Sequence, residues 1–403
     1  MNVKTYTKPK KATYNLYKFL FKVASKLMFK LKITRNDLKN KKGPFLVIAN
    51  HQSEIDFVNI VAAIPAQTHF VVGYSAYKTS SMSKIMNKIG CIPRMNIDFS
   101  DEEINNMRNV LNNGMPIGMY PIGIISENGM STEPTVNMPS VIKSLSTDVY
   151  VAKSNGSYLT SPKWSNKRRK GRINIDIYKV LSKDQVNSFS LEQIYDVMAL
   201  NLRYNEYDYI SNTKIKFKNG NNVEGLHYVL HQCPDCNEEY VIKSNKDTLF
   251  CDKCGYTTQA NNYGLLSLVK GTTHFEKPSD WYLSMQYKLS NKVKQNSNYT
   301  FIADGKLLMI NESSSKFEEV GLCNVVLNKD TIKLTGTIKD IPLDETIITS
   351  SYPLVLYKPG KNVEFEHNNK IYRIIFDNPY DSSKFNMLIK EFNQNKNKRA
   401  ISK

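Results

Sequence analysis

Val47-Ile48-Ala49-Asn50-His51-Gln52-Ser53-Glu54-Ile55-Asp56 joins an apolar run to a polar turn and then to a helical pattern. Phe45 to Ala49, behind Gly43-Pro44, reads as a buried strand. Ile55, Val58, Asn59, Val61 and Ala62 recur at helical spacing, and Ser53 with Asp56 forms an S-x-x-D helix-start signal. His51 therefore falls in a strand-to-helix turn, with Asp56 in the first turn of the helix. In an open α/β sheet that turn, at the carboxyl end of a strand, is the usual place for a reacting group. An imidazole, with an ordinary pKa near ~6.5, can take a hydroxyl proton, and a carboxylate beside it fixes the tautomer and stabilises the imidazolium. On these residues alone a second reading stays open, with Asp56 as a helix cap and His51 as a turn residue.

From Lys41 to about Tyr209 short apolar runs alternate with helical patterns. Strands are expected at 45–49, 68–73, 116–120, 149–153 and 173–177, and helices at about 53–64, 80–89, 101–113, 136–146 and 190–204. This alternation predicts an α/β domain over 41–213 with a largely parallel sheet. The polar stretch Lys214 to Gly225, with Asn219-Gly220-Asn221-Asn222, reads as a linker.

Ahead of that domain, residues 12–32 place Lys18, Lys22, Lys26 and Lys30 four apart. Leu16, Phe19, Leu20, Val23, Leu27, Met28 and Leu31 occupy the rest of the turn pattern. Residues 1–40 are expected to carry an amphipathic helix that lies in the headgroup region, lysines over anionic lipid. A helix packed on the protein's own core is the other reading. No run reaches the ~18 apolar residues needed to span a bilayer, and the basic N-terminus lacks the pattern of a secretory signal. The expectation is a cytoplasmic, peripheral protein on the inner face of the cell membrane.

Length and composition agree with a multidomain globular chain: 403 residues, 41% of them hydrophobic. The 55 Lys plus Arg against 37 Asp plus Glu, for a formal charge of +18, call for anionic partners such as nucleic acid, acidic lipid or phosphorylated substrates. Of six cysteines, Cys91 and Cys323 sit in apolar surroundings and are expected as buried thiols. The other four form Cys233-Pro-Asp-Cys236 and Cys251-Asp-Lys-Cys254-Gly255, separated by residues 237–250. Two C-x-x-C turns at this separation can present four thiolates to one structural Zn²⁺ in a ribbon spanning about 220–270. His227, His231 and His274 lie nearby, but four thiolates already close the site, so these are expected as surface or packing residues.

Residues 285–395 read as β-rich, with short strands between 299 and 376 and a helix from about Ser382 to Gln394 carrying Phe385, Leu388, Ile389 and Phe392 on one side. Strands closed by one C-terminal helix resemble a pleckstrin-homology or GRAM-like barrel; a small β domain of no particular type is the other reading. Lys396 to Lys403 reads as a frayed basic tail.

Asn50-His51-Gln52-Ser53-Glu54-Ile55-Asp56 resembles the N-H-x4-D motif of the glycerolipid acyltransferases, the family that includes the 1-acylglycerol-3-phosphate acyltransferases. Three further blocks follow in order: Gly90-Cys91-Ile92-Pro93-Arg94; Tyr120-Pro121-Ile122-Gly123-Ile124-Ile125-Ser126-Glu127-Asn128-Gly129, where the family has F-P-E-G-T-R-S-x-x-G; and the strand Val149 to Ala152. The likeness covers about residues 12–205. A bacterial subset is also similar beyond this, with a segment like Tyr158 to Trp164, a basic stretch and a C-x-x-C ribbon.

The resemblance implies an αβα domain in which His51 deprotonates an acceptor hydroxyl, Asp56 orients it, and the hydroxyl attacks the thioester of acyl-CoA or an acyl carrier protein. It places Asn50, Arg94, Gly123 and Ser126 at the substrate, with Arg168 and Arg169 of the basic segment Lys163 to Arg172 as further contacts. The acceptor would be a lysophospholipid or another lipid hydroxyl. Ile122 and Ile125 replace the family's Glu and Arg, which help bind the acceptor's phosphate, and two isoleucines cannot do so. A glycolipid or other hydroxyl-bearing lipid tolerates them better than lysophosphatidate does. Two alternatives remain: a nucleic-acid-binding zinc-ribbon protein, against which Asp235, Glu238, Glu239 and Asp252 dilute the ribbon's charge, and an inactive acyltransferase-fold lipid scaffold.

Overall fold

A computed structural model describes residues 8–94, 99–218, 221–311, 313–368 and 370–401, with backbone alone from residue 394. The chain divides into two units, one of residues up to Pro162 with Lys170–Ile215, the other of Lys163–Arg169 with Lys216–Lys403.

The first unit runs α1 (Lys11–Phe29), β1 (Lys32–Asn36), β2 (Leu46–Ala49), α2 (Asp56–Ala63), β3 (His69–Gly73), α3 (Tyr74–Thr79), α4 (Ser83–Lys88), β4 (Ile92–Arg94) and α5 (Asp101–Asn112). It continues with β5 (Ile117–Met119), α6 (Met138–Leu145), β6 (Val149–Asn155), α7 (Ser157–Thr160), β7 (Asn174–Leu181), α8 (Lys183–Ser188), α9 (Leu191–Leu202) and α10 (Glu206–Thr213). The strands form one seven-stranded sheet in the order β1-β7-β6-β2-β5-β3-β4. β6, β2, β5, β3 and β4 are parallel, and β7 turns antiparallel to β6.

Every residue of β2 is buried because the sheet is covered on both faces. Val47 and Ala49 face a core shared with Phe57 and Ile60 of α2 and Tyr14, Phe21 and Phe29 of α1. Leu46 and Ile48 face the opposite core, filled by Met107 and Val110 of α5, Val141 and Ile142 of α6, and Ile194 and Met198 of α9. Each fully buried aliphatic side chain contributes roughly 1.5–3 kcal/mol relative to exposure, so this central strand is strongly fixed in place.

α1 both packs on the core and presents an apolar face. Leu16, Phe19, Leu20, Val23, Leu27 and Met28 are exposed, while Tyr14, Lys18, Phe21, Ser25 and Phe29 are buried. The four-lysine stripe is therefore broken. Lys18 turns inward to donate to the Pro65 carbonyl, and burial pushes its pKa down to about 8. Lys22, Lys26 and Lys30 remain exposed.

The second unit contains β8 (Ile242–Asn245), β9 (Thr248–Cys251), β10 (Thr257–Ala260) and β11 (Leu266–Lys270), an antiparallel sheet in the order β11-β10-β9-β8. After α11 (Pro278–Gln295) come β12 (Phe301–Asn311), β13 (Lys316–Leu327), β14 (Thr331–Ile338), β15 (Ile341–Ile348), β16 (Leu356–Lys358), β17 (Asn362–His367), β18 (Lys370–Phe376) and α12 (Asp381–Ile401). These strands make a seven-stranded antiparallel sheet in the order β15-β14-β13-β12-β18-β17-β16. Phe385 of α12 meets Phe301 and Phe376 edge-on and tilted, which fixes the helix against β12 and β18.

Two expectations need correction. The stretch Lys214 to Gly225 is not a free linker, because Phe217 and Val223 are buried and their amides donate to Asn262 and Lys246 in the second unit. Asn219 and Gly220 lie outside the described residues. The backbone expected as a frayed tail is helical through Ile401. Cys91 and Cys323 are buried as expected.

Candidate active site

The parallel strands place their carboxyl ends on one edge, and the loop leaving β2 is clamped there from its first residue. Asn50 Nδ2 donates to the Ser154 carbonyl at 2.9 Å and Asn50 Oδ1 accepts from the Ser154 amide at 2.7 Å, tying the ends of β2 and β6 together. His51 follows, with its side chain 16% exposed, and its Nδ1 lies 3.2 Å from Asp56 Oδ2. Asp56 is fully buried, and the same Oδ2 accepts from the Gln52 and Ser53 amides at 2.6 and 2.8 Å. Two backbone donors to the same oxygen fix the side chain beside the ring. Nε2 is thereby left as the ring's basic nitrogen, facing away from Asp56.

Ser53 does not cap α2. The helix begins at Asp56 itself, and Ser53 Oγ instead donates to the Ser161 carbonyl at 2.5 Å.

The second wall of the site comes from the turn after β5. Tyr120 stacks on His51, ring centroids 4.0 Å apart and planes 16° from parallel. The Gly123 amide donates to the Tyr120 carbonyl at 3.0 Å, and Gly123 adopts φ of +73°, a conformation that favours glycine. Ser126 closes the loop. Its amide donates to the His51 carbonyl at 2.9 Å, and its hydroxyl donates to the Met130 carbonyl at 2.7 Å while accepting from the Gly129 amide at 3.0 Å. Ile122 is buried and Ile125 half-buried, so the turn keeps its shape without a charged side chain at either position.

Arg94 ends β4, the edge strand, three places from β2. At about 4.8 Å per strand this puts it roughly 14 Å from His51 along the same carboxyl edge. Its guanidinium lies over Phe99 at 4.3 Å. Gly90, ahead of it, has φ of +75°, and a Cβ there would come within 2.9 Å of His69 Nδ1 and 2.8 Å of Pro9 Cδ. Arg168 and Arg169 fall in the second unit. Arg168 is exposed, whereas Arg169 is buried over the Trp164 ring and donates to the Asn222 carbonyl at 2.6 Å. Lys163 is buried as well, 3.7 Å above the Tyr357 ring. Part of this basic segment therefore serves the packing of its own unit.

Glu206 has no counterpart in the sequence reading. Fully buried at the start of α10, it accepts from the Leu159 and Gly156 amides at 2.9 and 3.1 Å and from the Tyr204 hydroxyl at 2.6 Å. Burial pushes its pKa up to about 7 against those three bonds. It thereby braces α7, and the next residue, Ser161, receives the Ser53 hydroxyl from the His51 loop. Its only sign in the sequence is an acid opening a helical pattern, which with Asp208 reads equally as a first-turn acid.

Residues 30–152 match the Acyltransferase family model. The match contains all four sequence blocks and covers less than a third of the chain. Among solved structures, the chain is similar to the 1-acyl-sn-glycerophosphate (LPA) acyltransferase PlsC from Thermotoga maritima at 16% identity and a TM-score of 0.42, over 50% of this chain and 79% of that one. No curated protein matches it.

In the second unit, the Sγ atoms of Cys233, Cys236, Cys251 and Cys254 all lie within 4.8 Å of one another. The Cys233–Cys254 and Cys236–Cys251 separations are 3.6 and 3.8 Å. Four sulfurs at about 2.3 Å from one Zn²⁺ in a tetrahedron are about 3.8 Å apart, so this donor set fits such an ion. Both C-x-x-C turns are built alike: the amides of Asn237 and Gly255 donate back to the Cys233 and Cys251 carbonyls, and both residues have left-handed φ. Zinc held here would tie the turn before β8 to the end of β9, a folding role.

Proposed function

We propose that this chain is a peripheral membrane O-acyltransferase that moves an acyl group from acyl-CoA or an acyl carrier protein to a lipid hydroxyl. The observation that carries the reading is the His51–Asp56 pair, held at 3.2 Å at the carboxyl end of the parallel strands within the region that matches the Acyltransferase model. His51 Nε2 takes the acceptor's hydroxyl proton as the oxygen attacks the thioester carbonyl. Collapse of the tetrahedral adduct breaks the C–S bond, and the departing thiolate recovers the proton from His51. A positioned base of this kind supplies roughly 10²–10⁴ in rate, and holding both substrates supplies more.

Asn50, Gly123 and Ser126 act by shaping the two loops around His51, and Arg94 is a cation on the same edge. The apolar Ile122 and Ile125 favour an acceptor whose recognition does not depend on a phosphate at that turn, such as a glycolipid. Membrane attachment is assigned to α1. Its exposed Leu16, Phe19, Leu20, Val23, Leu27 and Met28 suit acyl chains, and Lys22, Lys26 and Lys30 suit anionic headgroups. Among the described residues no helix is long and apolar enough to cross a membrane. The order of β12–β18 with α12 behind them supports a pleckstrin-homology-like barrel in the second unit.

The test is to incubate the purified protein with labelled acyl-CoA or acyl carrier protein and a panel of lysophospholipid and glycolipid acceptors, beside His51→Ala. Product from the wild type alone supports the reading and names the acceptor. Equal product from both removes His51 from the mechanism.

A further inference from the structure

We propose that the second unit holds a phosphate-monoester subsite in the cleft between the cysteine ribbon, α11 and α12, built from His231, Lys288, Lys292 and Lys384. This site is independent of the acyl-transfer reading and lies wholly within residues 231–387.

The cleft encloses about 10 Å³ and opens to solvent at its mouth. That is room for about one oxygen-sized group inside, so the rest of a ligand stays at the mouth. His231 lines it, is 3% exposed, and has no hydrogen-bond partner at either ring nitrogen. A neutral imidazole always carries one N–H, and a buried donor left unmade is costly, so the ring calls for an acceptor from within the cleft.

The surrounding charge selects the acceptor. Lys288 and Lys292 stand one turn apart on α11, a like-charge pair that disfavours the helix on its own. Lys384 enters from α12 and is buried. Glu239 takes a bond from Lys292 at 3.1 Å and another from Lys384, and Lys288 donates to Asn237 Oδ1 at 2.6 Å. Each ammonium has three N–H donors, so all three lysines keep further donors for a ligand. Three ammonium groups face the lining carboxylate Glu239, and Asp381 also acts on Lys384, so the cleft keeps a net positive charge. A phosphate monoester, close to a dianion at neutral pH with three terminal oxygens, balances that charge; one oxygen would meet His231 and the others the lysines. A phosphodiester, with a single charge and two terminal oxygens, fits less well. The monoester can belong to a lipid headgroup of the phosphatidate type or to free phosphate.

The experiment uses the full-length, zinc-loaded protein. Inorganic phosphate is titrated calorimetrically, and flotation compares phosphatidylcholine vesicles doped with phosphatidic acid or, at matched surface charge, with phosphatidylglycerol. The comparison variant is Lys288→Gln with Lys292→Gln, its fold checked by zinc content and circular dichroism. The wild type should bind inorganic phosphate, and the variant should bind at least about tenfold more weakly. A preference for phosphatidic acid over phosphatidylglycerol that the variant loses identifies a lipid source; phosphate binding without that preference identifies free phosphate. Two results overturn the proposal: no phosphate heat up to ~10 mM together with no monoester preference, or equal binding by wild type and variant.

Discussion

The imidazole of His51 and the ring of Tyr120 lie stacked with centroids 4.0 Å apart, joining the loop after β2 to the end of β5. The ring face of Tyr120 sets the plane of the imidazole, while its hydroxyl is buried without a hydrogen-bond partner. The two parts of the side chain therefore have separable consequences. Tyr120→Phe should keep kcat and raise stability by about 1 kcal/mol, because it removes an unsatisfied polar atom. Tyr120→Ala should lower kcat by about tenfold or more, as the imidazole loses its support. Urea denaturation and steady-state kinetics on the pair check this, and a loss of stability in Tyr120→Phe would count against it.

Glu206 gives a pH signature. Its pKa is raised from 4.5 to about 7 on folding, so between those values the folded state holds more protons than the unfolded chain. The stability that this group contributes is then fully present below pH ~4.5 and is lost as pH rises towards ~7, by up to about 3 kcal/mol. Glu206→Gln cannot titrate. The difference in stability between wild type and Glu206→Gln should move in favour of the variant from pH 5 to pH 8. Thermal denaturation across that range measures it, and a pH-independent difference contradicts the assignment.

Metal removal should act on the second unit. Zinc analysis is expected to find about one ion per chain, falling when Cys233 or Cys251 is replaced by Ser. Both tryptophans, Trp164 and Trp281, lie in this unit, and Trp281 Nε1 donates to the Gln232 carbonyl beside Cys233. A strong chelator should therefore shift tryptophan emission to the red. Emission unchanged by complete metal removal would show that the ribbon folds without it.

The exposed face of α1 predicts a loss of membrane binding without a loss of fold. Leu16→Gln, Leu20→Gln and Leu27→Gln together change side chains that are 57%, 48% and 75% exposed, so the melting temperature should stay within a few degrees. Binding to anionic vesicles should weaken at least about tenfold, since each inserted leucine contributes on the order of 1 kcal/mol or more. Vesicle binding equal to that of the wild type rejects α1 as the contact.

The sequence was most legible where local pattern and structure coincide. β2, buried on both faces, shows as an unbroken apolar run, and the two C-x-x-C turns are short-range motifs whose geometry survives any context. β1 and β4 leave only weak signals: Lys32–Asn36 is an exposed, polar edge strand, and Ile92–Arg94 is a three-residue edge strand carrying a proline. The spacing of Ser53 suggests a local cap, but its hydroxyl reaches Ser161, far along the chain. The lysine stripe on α1 likewise gave no sign that Lys18 would find the Pro65 carbonyl. Contacts of this kind, like those of Glu206, depend on the tertiary fold and leave no local periodicity.

Whether His51 takes the acceptor's proton is read from the rate of acyl transfer to the best lipid acceptor in His51→Ala beside wild type, both confirmed folded by circular dichroism. With His51 as general base, kcat falls by about 10²–10⁴ in the variant. A variant that turns over at the wild-type rate would contradict it.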